Sequence, residues 1–178
     1  LTATGTLSAV QGVTVSAEAP GRLRNIQFES GARVQAGDVL LQMDTAGEAA
    51  QLASAEAGAE LARAALERRR ELAKRQLVSP ADVDAAAAQA KEAAARVGVV
   101  RALLAKKTVR APFTGRLGLR QVNLGQILRE GDPIVSLQSL DPINADFPIA
   151  QQQLARLGTG MPVRLTTDAA PGRIFEGR

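Results

Sequence analysis

The sequence predicts an elongated α+β protein in which an antiparallel helical hairpin is inserted into a split β-sandwich and part of a second β domain follows. Three observations support this. Residues 45–107 are rich in the helix formers Ala, Glu, Arg and Gln. The segments before and after them repeat each other, and short strand-like stretches separated by turns follow residue 138.

The repeat is carried by glycines in register. Within each pair Gly21 and Gly115, Gly31 and Gly125, and Gly37 and Gly131, the residue numbers differ by 94, and an Arg-Leu pair and an aspartate recur at the same offset. Glycine at such positions usually serves turns that need positive φ. Each half is therefore predicted to be a small β-meander with two tight turns. Because neither half can bury both faces alone, we expect the halves to pack together as a sandwich.

Composition excludes several functions. The 178 residues include no Cys, His, Trp or Tyr, which excludes thiol and imidazole metal sites and His-dependent nucleophiles. The net charge of +4 comes from basic residues interspersed with acids and without aromatics, so a solvated surface is favoured over nucleic-acid binding. The glycines match no phosphate-binding spacing, and no cofactor or metal is expected. No stretch is apolar enough to span a membrane, and the abrupt start suggests that an upstream targeting segment is missing.

Within the insertion, two helices with apolar seams are predicted. In the first, roughly residues 46–76, the seam comprises Leu52, Ala55, Ala59, Ala62, Leu66 and Ala73, with Arg69 as an interruption. In the second it comprises Val83, Ala87, Ala90, Ala94, Val97 and Leu104, with Arg101 as the odd member. Two such seams favour an antiparallel coiled coil with arms of roughly 40–45 Å.

Sequence signals mark the turn and the end of the hairpin. Ser79 is a good N-cap, Pro80 suits the first helical position, and Asp82 completes a capping box. Lys106 and Lys107 lie at the C-terminus of the second helix, where cations favour the helix dipole.

These elements divide the chain into five parts. We predict a first strand of a second β domain at 1–12, a first half-motif at 13–44, the helical hairpin at 45–107, a second half-motif at 108–138 and the incomplete remainder of the second β domain at 139–178. In the last part we expect a strand near residues 140–149, a short helix over 151–157, and strands over 162–167 and 173–178. Residues 2–10 are expected to join this domain.

The combination resembles the periplasmic adaptor proteins, also called membrane fusion proteins, of Gram-negative tripartite efflux pumps. The resemblance covers nearly the whole chain. It implies that the half-motifs form a lipoyl-like domain and that residues 1–12 and 139–178 belong to an incomplete β-barrel domain. It also implies that the protein is a non-catalytic link between an inner-membrane transporter and an outer-membrane channel. It further implies self-association, with six copies around the pump, and a periplasmic location with anchoring to the inner membrane through a segment outside this sequence.

A sharper resemblance lies at the distal end of the hairpin. These adaptors carry an Arg-x3-Leu-x6-Ser signature that engages the outer-membrane channel, and Arg68, Leu72 and Ser79 have this spacing. The resemblance implies that the three residues bind the channel. A purely structural interpretation exists for each: Arg68 belongs to a solvated Arg run, Leu72 fits a helix seam, and Ser79 is an adequate N-cap without any partner.

Several alternatives remain at this point. The C-terminal stretch and the length of the hairpin resemble adaptors of proton-driven RND pumps more than those of ABC exporters, which is an analogy with the family. A lipoyl-type carrier would need a modified lysine near residues 43–46, where none occurs, and the insertion would separate the strands that its hairpin joins. A coiled-coil scaffold would need an apolar outer stripe, but that face carries charges such as Glu60 and Arg63. An enzyme would have only Asp82 and Asp84 as a close carboxylate pair, and helix capping explains both.

Overall fold

The computed structural model describes residues 3–152, 158–167, 170 and 172–177. The chain divides into two compact units, one formed by residues 9–142 and the other by residues 1–8 with 143–178. The elements are β1 (Thr6–Ala9), β2 (Gly12–Ser16), β3 (Gly21–Ile26), β4 (Arg33–Val34), β5 (Val39–Met43), α1 (Ala46–Lys74), α2 (Pro80–Lys106), β6 (Thr108–Arg110), β7 (Gly115–Leu117), β8 (Ile127–Leu128), β9 (Pro133–Gln138), β10 (Ile143–Asp146), β11 (Val163–Thr166) and β12 (Ile174–Gly177).

Two four-stranded antiparallel sheets form the β part of the larger unit. Their strand orders are β2-β9-β7-β4 and β6-β5-β3-β8. Each sheet therefore takes two strands from each half of the repeat, so the prediction that each half forms its own β-meander is wrong. Exchange of strands between the halves buries the apolar faces of both in one core. The two orders are also equivalent under the 94-residue offset, which gives the sandwich an internal pseudo-two-fold symmetry.

The symmetry extends to individual hydrogen bonds. The Gly37 amide donates to the Ala111 carbonyl at 2.8 Å, and the equivalent Gly131 amide donates to Ala17 at 2.8 Å. Within the two turns, a carboxylate oxygen of Asp38 accepts from the Gln35 amide at 2.7 Å. Asp132 accepts from the Arg129 amide at the same distance. Equivalent turns of the two halves thus make equivalent hydrogen bonds, including one from each half to the other.

The repeated glycines fall into two groups. Gly31, Gly37, Gly125 and Gly131 have φ values of 80°, 90°, 81° and 90°. These left-handed conformations favour glycine because a Cβ would clash with the backbone. Gly21 and Gly115 begin strands and are not in the left-handed region. A Cβ on Gly21 would lie 3.0 Å from Lys107 Nζ, and one on Gly115 would collide with the Gln138 carbonyl. These two positions are limited by close packing.

A single core fills the sandwich. Its most deeply buried side chains include Leu23, Leu40, Leu41, Met43, Leu128, Ile134, Val135 and Leu137. The cluster draws on both halves and contains no residue of α1 or α2. Hydrophobic burial in the β part is consequently independent of the helical insertion.

The insertion is the predicted antiparallel hairpin, and at about 1.5 Å per residue its helices of 29 and 27 residues are each roughly 40 Å long. The first helix ends two residues before the predicted boundary. The buried and half-buried positions of α1 agree with its predicted seam, and Leu66 is its most buried member. In α2, the predicted seam residues Val83, Ala87, Ala90, Val97 and Leu104 are buried or half-buried, whereas Ala94 is exposed. Ala86, Ala93 and Val100 also line the seam, and Arg101, the predicted odd member, is exposed. From Ala90 to Leu104 the seam positions alternate between spacings of three and four residues, as in a heptad.

Charged residues pair across the hairpin beside this seam. Arg101 donates to a Glu56 carboxylate oxygen at 2.5 Å. Nearer the turn, Arg69 lies 3.8 Å from Asp82. Arg69 thus interrupts the apolar seam of α1 at the level of the hairpin where the Asp82 carboxylate of α2 lies.

At its base, the hairpin is attached to the sandwich through Lys107. This side chain is buried, and its ammonium lies 2.8 Å from a Glu48 carboxylate oxygen and donates to the Pro20 carbonyl at 2.6 Å. The Lys107 carbonyl accepts from the Met43 amide at 2.9 Å. One residue therefore joins the first turn of α1, the end of α2 and the entry to β3.

The insertion does not separate the strands that it interrupts. β5 and β6 pair directly, with Gln42 opposite Thr108 and Leu41 opposite Val109. This corrects the expectation that the hairpin would keep these strands apart. The chain leaves the sheet and returns to it at neighbouring positions because an antiparallel helix pair begins and ends at the same place.

In the smaller unit, β1 pairs with β10 and β11 pairs with β12. The N-terminal strand therefore pairs with a strand of the C-terminal segment. Residues 151 and 152 form a 3₁₀ turn, and the rest of the helix expected over 151–157 lies outside the described residues, as do residues 171 and 178. None of the described helices combines the length and the apolarity needed to cross a bilayer.

Candidate functional site

The distal end of the hairpin is shaped by two different helix caps. Helix α1 ends in a Schellman motif, in which the Leu77 amide donates to the Leu72 carbonyl at 3.0 Å and the Gln76 amide donates to Ala73 at 2.9 Å. Gln76 takes the left-handed position, with φ of 59°. Glycine is the usual residue there, since a side chain in this conformation costs about 1–2 kcal/mol.

Helix α2 begins with a complete capping box. The Ser79 hydroxyl accepts from the Asp82 amide at 3.2 Å and donates to Asp82 Oδ2 at 2.7 Å. The same carboxylate oxygen accepts from the Ser79 amide at 3.1 Å. These bonds to Ser79, and then the nearby Arg69, lower the pKa of Asp82. The Ser79 side chain therefore has an internal role that requires no partner protein.

Arg68 and Leu72 occupy a common surface on α1. They are separated by one helical turn and line an open depression together with Glu67, Glu71 and Arg75. Leu72 is exposed although it is a large apolar residue. Ser79 does not line this depression. The structure thus brings together two of the three signature residues and places the third in the cap of the other helix.

The charges around this depression are unevenly paired. Arg70 lies 2.9 Å from Glu67, and Lys74 lies 2.6 Å from Glu71, whose hydrogen bond raises the pKa of Lys74. Arg68 makes no ion pair within 4 Å in the described part of the chain. Among Arg68, Arg69 and Arg70, Arg68 is therefore the one whose guanidinium is unpaired, and it shares the depression with the exposed Leu72.

The sequence interpretation missed Leu77. It is exposed in the loop between the two helices, and its amide closes the Schellman motif. A large apolar residue between Gln76 and Ser79, in a turn otherwise suited to polar residues, was the available signal. A second depression at the turn is lined by Ala73, Gln76, Val78, Pro80, Val83 and Asp84.

The described residues at the distal end offer surfaces for contact. Across the described residues, no three His, Cys, Asp or Glu side chains cluster in a way that could hold a metal ion. The carboxylate of Asp82 is engaged by Ser79 and Arg69. What the distal end presents is exposed apolar area beside the unpaired guanidinium of Arg68, on a helical support.

Comparison with protein families identifies a match over most of the chain. The model described as "RND MFP, barrel-sandwich hybrid domain", where MFP denotes membrane fusion protein, matches residues 11–138. The chain is 34% identical over 173 residues to the multidrug resistance protein MdtA of Proteus mirabilis, with 88% of the chain and 42% of the relative covered. An uncharacterized protein of Haemophilus influenzae is 30% identical over 175 residues, with 98% and 46% covered. The chain spans less than half the length of these relatives.

Solved structures share the fold. A putative efflux transporter from Bacteroides eggerthii has a TM-score of 0.84 at 24% identity, over 97% of this chain and 53% of its own. A MacA-MexA chimera that contains the α-hairpin domain of Pseudomonas aeruginosa MexA has a TM-score of 0.85 at 22% identity, over 98% of this chain and 64% of its own. Both likenesses extend over the hairpin as well as the β elements.

Proposed function

Because the chain belongs to the family of RND membrane fusion proteins, we propose that it is part of a periplasmic adaptor that links an inner-membrane transporter to an outer-membrane channel in an efflux pump. Members of this family are non-catalytic adaptors, so no reaction is assigned to the chain. The whole protein is proposed to be anchored to the inner membrane through a segment outside this sequence.

The proposed transporter is of the RND type. The description of the matching family model names that class, and the relative from Proteus mirabilis is named a multidrug resistance protein. Efflux of drugs through an RND pump is therefore favoured over the alternative of an ABC-type exporter. The charged outer face of α1, with Glu60 and Arg63 exposed, speaks against a scaffold that dimerises through that helix.

Docking to the channel is proposed to occur through the distal end of the hairpin. The observation that carries this proposal is the depression containing Arg68 and Leu72, since it combines an unpaired guanidinium with exposed apolar area. Leu77 adds a second exposed apolar side chain in the adjoining loop. We assign Ser79 the task of fixing the geometry of this loop through its capping box, in addition to any contact with the channel.

Self-association is proposed to strengthen this contact. One such surface on a single hairpin is small, and its affinity for a channel would be weak. Several hairpins held together present their ends at high effective concentration, so their combined affinity exceeds that of one contact by orders of magnitude. A ring, with six copies in the assembled pump, is the form that the family resemblance suggests.

Cross-linking in cells tests the docking proposal. The full-length protein would carry Ala81→Cys beside the loop. The 178 residues of this sequence contain no cysteine of their own. We expect capture of an outer-membrane channel subunit and its loss, by tenfold or more, in Arg68→Asp and Leu72→Asp variants. Because both side chains are exposed, the variants should fold like the parent.

Leu61→Asp is the matched control. Leu61 is also exposed on α1 but lies about three turns from the end of that helix, so this variant should retain capture. Equal loss in all three variants would show that charge anywhere on the helix disturbs the protein. Undiminished capture with Leu72→Asp would contradict docking through this surface.

A further inference from the structure

Two arginines face each other across one sheet of the sandwich. In the sheet β2-β9-β7-β4, Arg33 is the direct cross-strand partner of Arg116. Both side chains are exposed, and neither makes an ion pair within 4 Å among the described residues. These four strands contain no other charged residue. Like charges directly opposite each other destabilise a sheet, so another contribution must offset this basic pair.

The internal duplication shows that the fold does not require the basic pair. The position equivalent to Arg33, 94 residues later, is Ile127, and the equivalent of Arg116 is Arg22. Ile127 is the cross-strand partner of Arg22 in the other sheet. The same backbone pairing therefore forms there with a single arginine, and Arg33 is not needed for the pairing of β4 with β7.

Two unpaired carboxylates lie at the far end of the same sheet. The pairing of β2 with β9 continues beyond the strands, since the Ala17 amide donates to the Asp132 carbonyl at 2.9 Å and the Gly131 amide donates to Ala17 at 2.8 Å. Glu18 and Glu130 flank these bonds and are exposed. Neither makes an ion pair within 4 Å in the described part of the chain. They form an acidic pair on adjoining backbone.

The acidic pair also departs from the repeat. Glu18 and Glu130 correspond to Pro112 and Ala36 in the other half, where the equivalent turn closes with the same backbone hydrogen bond. Folding of the turn therefore does not require the carboxylates. The basic pair and the acidic pair are thus two departures of opposite charge from one duplicated framework.

The neighbouring turns do not cancel these charges. Arg120, whose amide donates to the Ser30 hydroxyl at 3.1 Å, and Glu29 lie on the loops beside the basic pair. Asp132 and Arg129 lie on the turn of the acidic pair. Each place thus gains one charge of each sign, and the two pairs determine the sign of their surroundings.

The two pairs are too far apart to meet within one copy. Arg116 lies opposite Gln138, which lies opposite Gly12, so the basic pair is level with the first residue of β2. Glu18 is six residues further along the chain from Gly12, which corresponds to roughly 20 Å in an extended strand. Complementary charges at separate places on one surface suit a contact between copies, in which one place of each copy meets the other place of the next.

We propose that Arg33 and Arg116 of one copy bind Glu18 and Glu130 of the next copy, head to tail. The inference rests on the self-association proposed above and assigns a surface to it. Exposed ion pairs add little affinity, so these contacts mainly fix which faces of neighbouring copies meet and in what orientation. A head-to-tail contact of this kind closes into a ring when the rotation from copy to copy returns to the first.

Charge reversal tests this contact in cells that express two differently tagged copies of the full-length protein. A photoreactive residue replaces Gln138, the exposed cross-strand neighbour of Arg116. We expect cross-links from one tagged copy to the peptide of the other that contains residue 18 or residue 130. Reversing the basic pair (R33E/R116E) or the acidic pair (E18R/E130R) should lower the yield by about tenfold or more, because like charges then meet. Reversing both pairs together should restore it.

Arg22→Glu is the matched control, since Arg22 is the equivalent of Arg116 in the other sheet. This variant should keep the yield within about twofold of the parent. Recovery in the protein with both pairs reversed requires a folded sandwich, so it excludes misfolding as the cause of the loss. Because every copy carries both pairs, products of three or more linked copies are also expected.

Several results would overturn the proposal. Yields that do not change on reversal would mean that the copies meet through another surface. An equal loss in Arg22→Glu would mean that any added acid disturbs the sandwich, and products that stop at two copies would mean a two-fold contact. Capture of the channel through Ala81→Cys, measured in the same cells, reports separately on docking. Capture without any cross-link between copies would overturn this contact and leave the docking proposal standing.

Discussion

Lys107 shows how the duplicated framework has been adapted at a single position. Its counterpart 94 residues earlier is Val13, which is exposed, whereas Lys107 is buried at the base of the hairpin. The sequence predicted only a favourable effect of this lysine on the helix dipole. Its contacts with Glu48 and Pro20 were not predictable, because they join residues that lie 59 and 87 positions away.

The Lys107–Glu48 pair gives the stability of the hairpin base a defined pH dependence. The hydrogen bond from Lys107 is the largest cause that lowers the pKa of Glu48 below its ordinary value of 4.5. A carboxyl with a lowered pKa in the folded state contributes stability above its unfolded value, and this contribution is lost as pH falls through the folded value. Glu48→Gln should therefore reduce the free energy of unfolding by about 1 kcal/mol near neutral pH.

Chemical denaturation of both proteins across this range measures the effect. The difference between them should be largest above pH 4.5 and should shrink as pH falls below it. Glu60→Gln, at an exposed position on the same helix, is the control and should leave stability near neutral pH unchanged. A difference that grows on acidification would mean that Lys107 does not stabilise the charged form of Glu48.

At the hairpin end, sequence and structure agree where bonding is local. The capping box of Ser79 and Asp82 was predictable because its partners are three residues apart. The left-handed conformation of Gln76 was not, because glutamine gives no signal for it. It follows from the need of the chain to reverse between two packed helices.

At the scale of the helices, periodicity located the seam but not its full register. Alanine occupies many consecutive positions of α2, so the choice between Ala93 and Ala94 has little hydrophobic signal, and nothing in the pattern indicates that Ala86 lies in the seam beside Ala87. Packing against α1 decides it, and Val97 and Val100 then fall in the seam with Arg101 free to pair with Glu56. Ambiguity of this kind is inherent in an alanine-rich helix.

Two valines of α2 test this register. Val97 is 8% exposed in the seam, and Val99 is 62% exposed on the outer side. Val97→Ala should lower the free energy of unfolding by roughly 1–2 kcal/mol, because it removes buried methyl groups and leaves a cavity. Val99→Ala should change it by no more than about 0.5 kcal/mol, since alanine also favours helix.

Denaturation followed by circular dichroism at helix-sensitive wavelengths distinguishes the two variants. Equal effects would mean that α2 is rotated relative to the described register. A larger effect of Val99→Ala would place the outer face of α2 against another element, as in an assembly of several copies.

For the sandwich as a whole, the sequence predicted the number and position of the turns better than the pairing of the strands. Both halves carry the same alternation and the same glycines, so the pattern is equally compatible with pairing within a half and with pairing between halves. Strands as short as Arg33–Val34 and Ile127–Leu128 also provide little signal of their own. The exchange of strands is selected by burial of a common core, which becomes apparent only when both halves are folded together.

This organisation predicts that the sandwich can fold without its insertion. The core contains no residue of either helix. The strands that precede and follow the hairpin, β5 and β6, already pair with each other. Replacing residues 45–106 with Asn-Gly would leave a three-residue loop between Met43 and Lys107, whose backbones are hydrogen bonded at 2.9 Å. Short loops with a glycine suit such antiparallel pairs. We expect a β-rich protein with cooperative thermal unfolding and dispersed amide resonances in nuclear magnetic resonance spectra.

Leu40→Ala in the shortened protein provides the control for a packed core. Leu40 is fully buried, so its truncation should cost about 2–5 kcal/mol and lower the midpoint of unfolding. A shortened protein that is unfolded, or one that tolerates Leu40→Ala without loss, would mean that the helices are needed to hold the two halves together. A folded one would mean that the duplicated sandwich is the structural base of the molecule and that its core forms without the hairpin.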